Sequence, residues 1–172
     1  MLKRTSKSFI WVLILIVVLG CDSEAVYDHY KSVPNMWHKD SIISFNINAP
    51  DTLKPYNLFV NLRNTNDYKF NNLYLIVDMN YPNGKVIKDT LEYKMAAPNG
   101  ELLGSGFSDI KENKLWYKGF DNPFVFSEIG SYSIEIQHAM RQLGDVEGVT
   151  NLEGVTDIGF RIEYAESNKN IE

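Results

Sequence analysis

From Ser41 onward the chain alternates apolar and polar residues with a period of two, segment after segment. In Ser41–Asn48, Ile43, Phe45 and Ile47 alternate with Ser44, Asn46 and Asn48. In Tyr56–Arg63, Tyr56, Leu58, Val60 and Leu62 take the apolar parity, and in Leu73–Tyr81 it falls to Leu73, Leu75, Val77 and Met79. Pro82-Asn83-Gly84 supplies a tight turn, and Val86–Tyr93 reads as the returning arm of a hairpin. Leu115–Lys118, Tyr132–His138 and Asp157–Tyr164 continue the pattern. Successive side chains of a strand point to opposite faces, so each segment has one face to bury and one to wet. No stretch of twelve or more residues carries a helical apolar period. The expectation is an all-β fold: a single β-sandwich, immunoglobulin-like or jelly-roll-like, of about seven to eight antiparallel strands. A closed barrel is the alternative. Gly130-Ser131-Tyr132 places a tyrosine where a strand enters after a corner, a position from which a phenol bonds back to the backbone. The echo Glu147–Leu152 and Glu153–Ile158 is too short for a solenoid and reads as a loop into the last strand.

The first 21 residues are of another kind. Lys3, Arg4 and Lys7 precede an uninterrupted apolar run, Phe9 to Leu19, and then Gly20 and Cys21. Eleven helical residues cover only about half of a ~30 Å bilayer core, which suits a signal h-region and not a membrane span. Val18-Leu19-Gly20-Cys21 fits a lipobox, in which cleavage precedes a thiol that carries diacylglycerol. The expected organisation is a cleaved signal at 1–20, a lipidated tether at 21–25, the sandwich at 26–165 and a flexible tail at 166–172. Cys21 is the one cysteine, so an internal disulfide is excluded.

Cleavage takes away three of the 17 basic residues and none of the 22 acidic ones, moving the net charge from −5 to −8. A chain so acidic has no footprint for nucleic acid and no polybasic patch for anionic lipid. Its expected hold on a membrane is through N-terminal acyl chains.

Catalytic constellations are missing from the sequence. His29, His38 and His138 show no metal-ligand spacing, and His138 takes the inward parity of its strand as a core residue. Neither a nucleophile elbow nor a phosphate loop occurs; Gly104-Ser105-Gly106 reads as plain loop. The carboxylate pairs Asp89/Glu92, Asp109/Glu112 and Asp145/Glu147 are what chance produces on an acidic surface. No cofactor, metal or small-molecule substrate is expected. Phe59, Tyr74, Phe124 and Phe126 are placed to fall on either face of their strands, while Trp37 and Trp116 are expected as core plugs. Arg63, Arg141 and Arg161 point outward by parity and are the candidate contacts to a protein partner.

The chain resembles the GldH family of gliding-motility lipoproteins of Bacteroidota-type bacteria. The likeness rests on Tyr56-Asn57-Leu58-Phe59-Val60-Asn61-Leu62-Arg63-Asn64-Thr65, Asn72-Leu73-Tyr74-Leu75 and Pro82-Asn83-Gly84-Lys85 with Asp89-Thr90-Leu91-Glu92. It continues through Gly100 to Gly106, Gln137-His138-Ala139-Met140-Arg141 and Gly154-Val155-Thr156-Asp157-Ile158-Gly159-Phe160-Arg161. The resemblance implies a cell-envelope lipoprotein of the outer membrane, in either leaflet, required for gliding. Its implied partners are other envelope proteins of the gliding apparatus and of the linked type IX secretion apparatus, and no enzyme activity is implied. A glycan-binding β-sandwich lipoprotein is the alternative.

Overall fold

A computed structural model of the chain describes residues 25–106 and 109–165. Eleven strands run in chain order: β1 (Ala25–Ser32), β2 (Met36–His38), β3 (Ile43–Asn48), β4 (Pro55–Asn64), β5 (Asn72–Asn80), β6 (Val86–Lys94), β7 (Lys111–Lys118), β8 (Phe124–Val125), β9 (Ser131–His138), β10 (Asn151–Glu153) and β11 (Val155–Tyr164). One sheet has the order β1-β11-β4-β7, with β8 pairing the start of β4. A second has the order β3-β9-β5-β6, and β2 with β10 forms a short two-stranded ribbon. Every pairing is antiparallel.

Each of the seven expected strands is present, because their alternation matches a pleat with one buried face. On β5 the buried side chains are Leu73, Leu75, Val77 and Met79; on β9 they are Tyr132, Ile134, Ile136 and His138. These meet Leu58, Val60 and Leu62 of β4 and Ile158, Phe160 and Ile162 of β11 in one continuous core. Phe160 reaches across the layer to Phe45, ring centres 6.2 Å apart, and to Tyr117 at the same distance. Leu115–Lys118 is the final half of a longer strand that begins at Lys111. β1, β2, β8 and β10 carry no clean alternation; β1 and β8 are held extended by β11 and β4, and β2 and β10 by each other. Ala25, assigned above to the tether, already pairs with Glu163.

Trp37 is the expected plug: fully buried, its indole N–H donating to the Ser41 carbonyl at 2.8 Å. His138 is a core histidine whose Nε2 lies 3.0 Å from the Trp37 carbonyl, and burial pushes its pKa down. At the corner before β9, the buried Tyr132 hydroxyl accepts the Glu128 N–H at 3.1 Å and donates to the Glu128 carbonyl at 3.3 Å. Tyr132→Phe removes both bonds while keeping the ring that packs on Phe126 and Tyr81. It should cost about 1 kcal/mol in urea unfolding, and an unchanged midpoint would leave the corner without energetic weight.

The sandwich has two unlike ends. At one lie the first residue of β1, the last of β11 and the first of β4, joined by the pairs Ala25–Glu163 and Tyr56–Tyr164. The loops 49–54, 119–123 and 126–130 and the turn 81–85 close this end. At the other end sit the ribbon of β2 with β10 and the loops 65–71, 95–106 and 139–150.

Candidate functional site

The outer face of the β1-β11-β4-β7 sheet carries two of the three arginines singled out above. Parity puts Asp28 and Tyr30 of β1, Gly159, Arg161 and Glu163 of β11, Phe59, Asn61 and Arg63 of β4, and Glu112, Lys114 and Trp116 of β7 on it. Two interlocked groups cover that face. In the first, Tyr30 lies flat over Gly159, where a Cβ would come within 2.8 Å of its ring. The Tyr30 hydroxyl donates to Glu112 at 2.7 Å, and burial, then that bond, raises its pKa. The Arg63 guanidinium sits 4.0 Å from the Tyr30 ring centre and its Nε donates to the other Glu112 oxygen at 3.1 Å.

In the second group Arg161 donates to Asp28 at 2.5 Å and to Glu163 at 2.6 Å. Lys114 also reaches Glu163, at 2.6 and 2.8 Å, and lies 4.2 Å from the Phe59 ring centre. Phe59 is buried under Lys114 and Trp116, and Trp116 in turn meets the exposed Phe120 edge-on at 5.5 Å. Trp116 is therefore no core plug, being 39% exposed on the outer face. Leu115 and Tyr117 take the inward parity on either side of it, and a bulge opposite Leu58 and Phe59 fixes that register.

The three arginines do not form one patch. Arg63 and Arg161 are held by carboxylates of the chain itself, and the Arg161 side chain is only 12% exposed. Arg141 is exposed and lies at the opposite end of the other sheet, after β9. Arg161→Ala should cost about 2–3 kcal/mol in urea unfolding, since it leaves the buried Glu163 with one cation instead of two. If Arg161→Ala keeps full stability but abolishes motility, the residue acts on a partner instead.

Asp89 and Glu92 are likewise parted, on opposite faces of β6. Asp89 points between the sheets at the β6 edge, bonded by the Tyr117 hydroxyl at 2.9 Å and Lys118 at 2.7 Å. Glu92 takes the opposite parity of the same strand and bonds Asn72 at 3.1 Å. Glu112 is engaged as described above. Among the described residues no group of three or more His, Cys, Asp or Glu side chains converges on a point.

Two open clefts mark the end bearing β2 and β10. One, of about 470 Å³, is lined by Asp67, Lys69, Phe70, Leu143, Val149 and Glu153 among others. The other, about 390 Å³, runs past Tyr68 and Asn71. Tyr68 is buried with its hydroxyl on the Asn72 carbonyl, so it offers no face for stacking.

These features define a β-sandwich domain with its charged side chains largely satisfied within the fold. The GldH lipoprotein family model matches residues 25–162, which is nearly the whole of the described chain. The chain belongs to the GldH lipoprotein family. It is 51% identical over 166 residues to the gliding motility lipoprotein GldH homolog of Christiangramia forsetii, covering 96% of this chain and 100% of that one. It is also 51% identical over 160 residues to the gliding motility lipoprotein GldH of Flavobacterium johnsoniae, covering 93% of this chain and 98% of that one. Among solved structures, infectious bursal disease virus particles of the Gx and Gt strains align at TM-scores of 0.34 and 0.36 with 17% and 15% identity. They cover 84% of this chain and 32% of theirs, too weak a match to assign a common fold. The chain is thus a gliding-motility lipoprotein of the cell envelope.

Proposed function

We propose that the domain is a non-enzymatic component of the gliding machinery and of its linked type IX secretion apparatus, held in the outer membrane by acyl chains on Cys21. The observation that carries this reading is the 51% identity, over essentially full length, to two gliding motility lipoproteins. The geometry is in keeping with it. The carboxylates Asp89 and Glu112 are engaged by Lys118 and Arg63, ion pairs that tie neighbouring strands of the fold together. Arg141, exposed beside the larger cleft, is the arginine we assign to a protein contact. The glycan alternative asks for exposed Tyr or Trp beside Asn in a groove. The larger cleft has no Tyr or Trp in its lining: Phe70, Leu143 and Val149 stand there among Asp67, Lys69, Asn151 and Glu153, an apolar floor with a charged rim that suits a protein contact better than sugar stacking.

Deleting the gene should abolish colony spreading and reduce secreted protein, and expression of the intact chain should restore both. Normal spreading and secretion in the deletion strain would overturn the proposal. Arg141→Glu in the complementing copy should lower spreading while protein levels stay normal.

A further inference from the structure

The exposed apolar side chains of the loops divide between the two ends of the sandwich, and the N-terminal tether joins the domain at one of them. Ala25 follows Cys21 by four residues, so their Cα atoms are separated by at most about 14 Å. A ten-residue strand such as β11 spans about 33 Å. Acyl chains on Cys21 would therefore hold the Ala25 end of the domain close to the lipid surface, and a domain standing upright on that end would carry the β2–β10 end about a strand's length away from it.

That membrane-side end bears apolar side chains with no place in the core. Leu53 in loop 49–54 is 90% exposed, Ile129 in loop 126–130 is 88% exposed, and Phe120 in loop 119–123 is 75% exposed. All three loops belong to this end: the Ala49 N–H donates to the Gly130 carbonyl, and Gly119 packs against Tyr56 and Asn57. Beside them are two lysine–tyrosine pairs, Lys54 at 5.2 Å from the Tyr164 ring centre and Lys85 at 5.3 Å from that of Tyr81. Apolar tips ringed by tyrosine and by lysines with long apolar stems are the composition of a membrane–water boundary. Of the acids in these loops, Asp51 lies 3.9 Å from Lys54, Glu128 accepts a hydrogen bond from the Asn83 amide, and Asp121 is exposed beside Phe120.

We infer that this end is a second, peripheral membrane contact: Leu53, Ile129 and Phe120 dip into the leaflet that holds the acyl chains and set the domain upright on it. The inference rests on Cys21 being the lipid-bearing residue. The upright pose aims the β2–β10 end, with Arg141 and the larger cleft, away from the bilayer and toward partners.

The test uses the full lipidated chain in phosphatidylcholine–phosphatidylethanolamine vesicles. With the Cys21 sulfur blocked by lipid, an added cysteine is the one site for a thiol-reactive, polarity-sensitive fluorophore. Leu53→Cys and Ile129→Cys probe the membrane side; Leu143→Cys and Val146→Cys, equally exposed at the far end, are controls. Labels at 53 and 129 should shift their emission to the blue and lose most of it when nitroxide-bearing lipid is added, while labels at 143 and 146 keep theirs. Water-like, unquenched emission at 53 and 129 on protein that floats with the vesicles would overturn the inference alone, as would equal quenching at both ends. A wild-type chain that takes up the fluorophore and does not float would instead overturn the assignment of Cys21, and the inference with it.

Discussion

Cys21→Ala is expected to abolish fatty-acid incorporation and to move the protein from the membrane fraction to the soluble fraction. The size of the effect follows from what else could hold the chain. Each buried methylene contributes ~0.8 kcal/mol, so two or three acyl chains anchor stably where one anchors only marginally. Among the described residues no helix is long and apolar enough to cross a bilayer. An uncleaved leader offers only eleven apolar residues, about 16 Å of helix against a ~30 Å core. Three apolar loop tips on a domain of net charge −8 supply orientation, not retention. Metabolic labelling with palmitate and fractionation of the same cells check both halves of the expectation. Stable membrane association of an unlabelled Cys21→Ala chain would show that the anchor lies elsewhere.

The fold was legible in the sequence wherever a strand had one wet and one dry face. β5 and β9 alternate because their inner parity fills a shared core and their outer parity is left part-exposed, while β4 and β11 keep the alternation even though Phe59, Asn61 and Glu163 of their outer parity are covered by neighbouring side chains. β1 escaped notice for a physical reason: it is an edge strand of mixed burial, and its best-defined contacts, Asp28 with Arg161 and Tyr30 with Glu112, are made by polar tips on the outer face. Such contacts leave no periodic trace. β2, β8 and β10, of two or three residues each, are extended because a longer strand or each other's backbone pairs with them.

The surface was less legible than the core. Parity alone correctly turned Arg63 and Arg161 outward, but outward is not the same as available. Whether an outward arginine is spent inside the fold depends on which carboxylates the neighbouring strands bring opposite it. Asp28 lies 133 residues from Arg161, and Glu112 lies 49 from Arg63. Trp116 failed for a related reason: with Leu115 and Tyr117 both apolar, local pattern does not single out which of the three faces outward. The Phe59–Trp116 cross-strand pair does.

Gly154→Ala is expected to be among the most destabilising single substitutions in the domain, at about 4 kcal/mol or more. Gly154 forms the turn between β10 and β11 with φ of +84°, where an L-residue costs roughly 1–2 kcal/mol. Gly84, in the turn between β5 and β6, has nearly the same φ of +86°. The two positions differ in what surrounds them. A Cβ on Gly84 meets nothing within 4 Å, whereas one on Gly154 would lie 2.3 Å from the Tyr68 nitrogen and 2.7 Å from the Asp67 carbonyl carbon. Both atoms are backbone, so no side-chain rotation relieves the overlap. The turn is also pinned on both sides, its N–H donating to the Asn35 carbonyl at 3.0 Å and its carbonyl accepting the Thr65 N–H at 2.7 Å. Displacing Gly154 far enough to admit a methyl group breaks those bonds and lifts the β2–β10 ribbon, whose Trp37 is buried in the core. Gly84→Ala, carrying the conformational strain alone, should cost about 1 kcal/mol, so the difference between the two variants isolates the backbone overlap. Urea unfolding of both, followed by tryptophan fluorescence, reads that difference directly. Equal midpoints would mean that loop 65–68 yields to the turn at little cost, and that the close approach of these two segments does not hold the far end of the sandwich together.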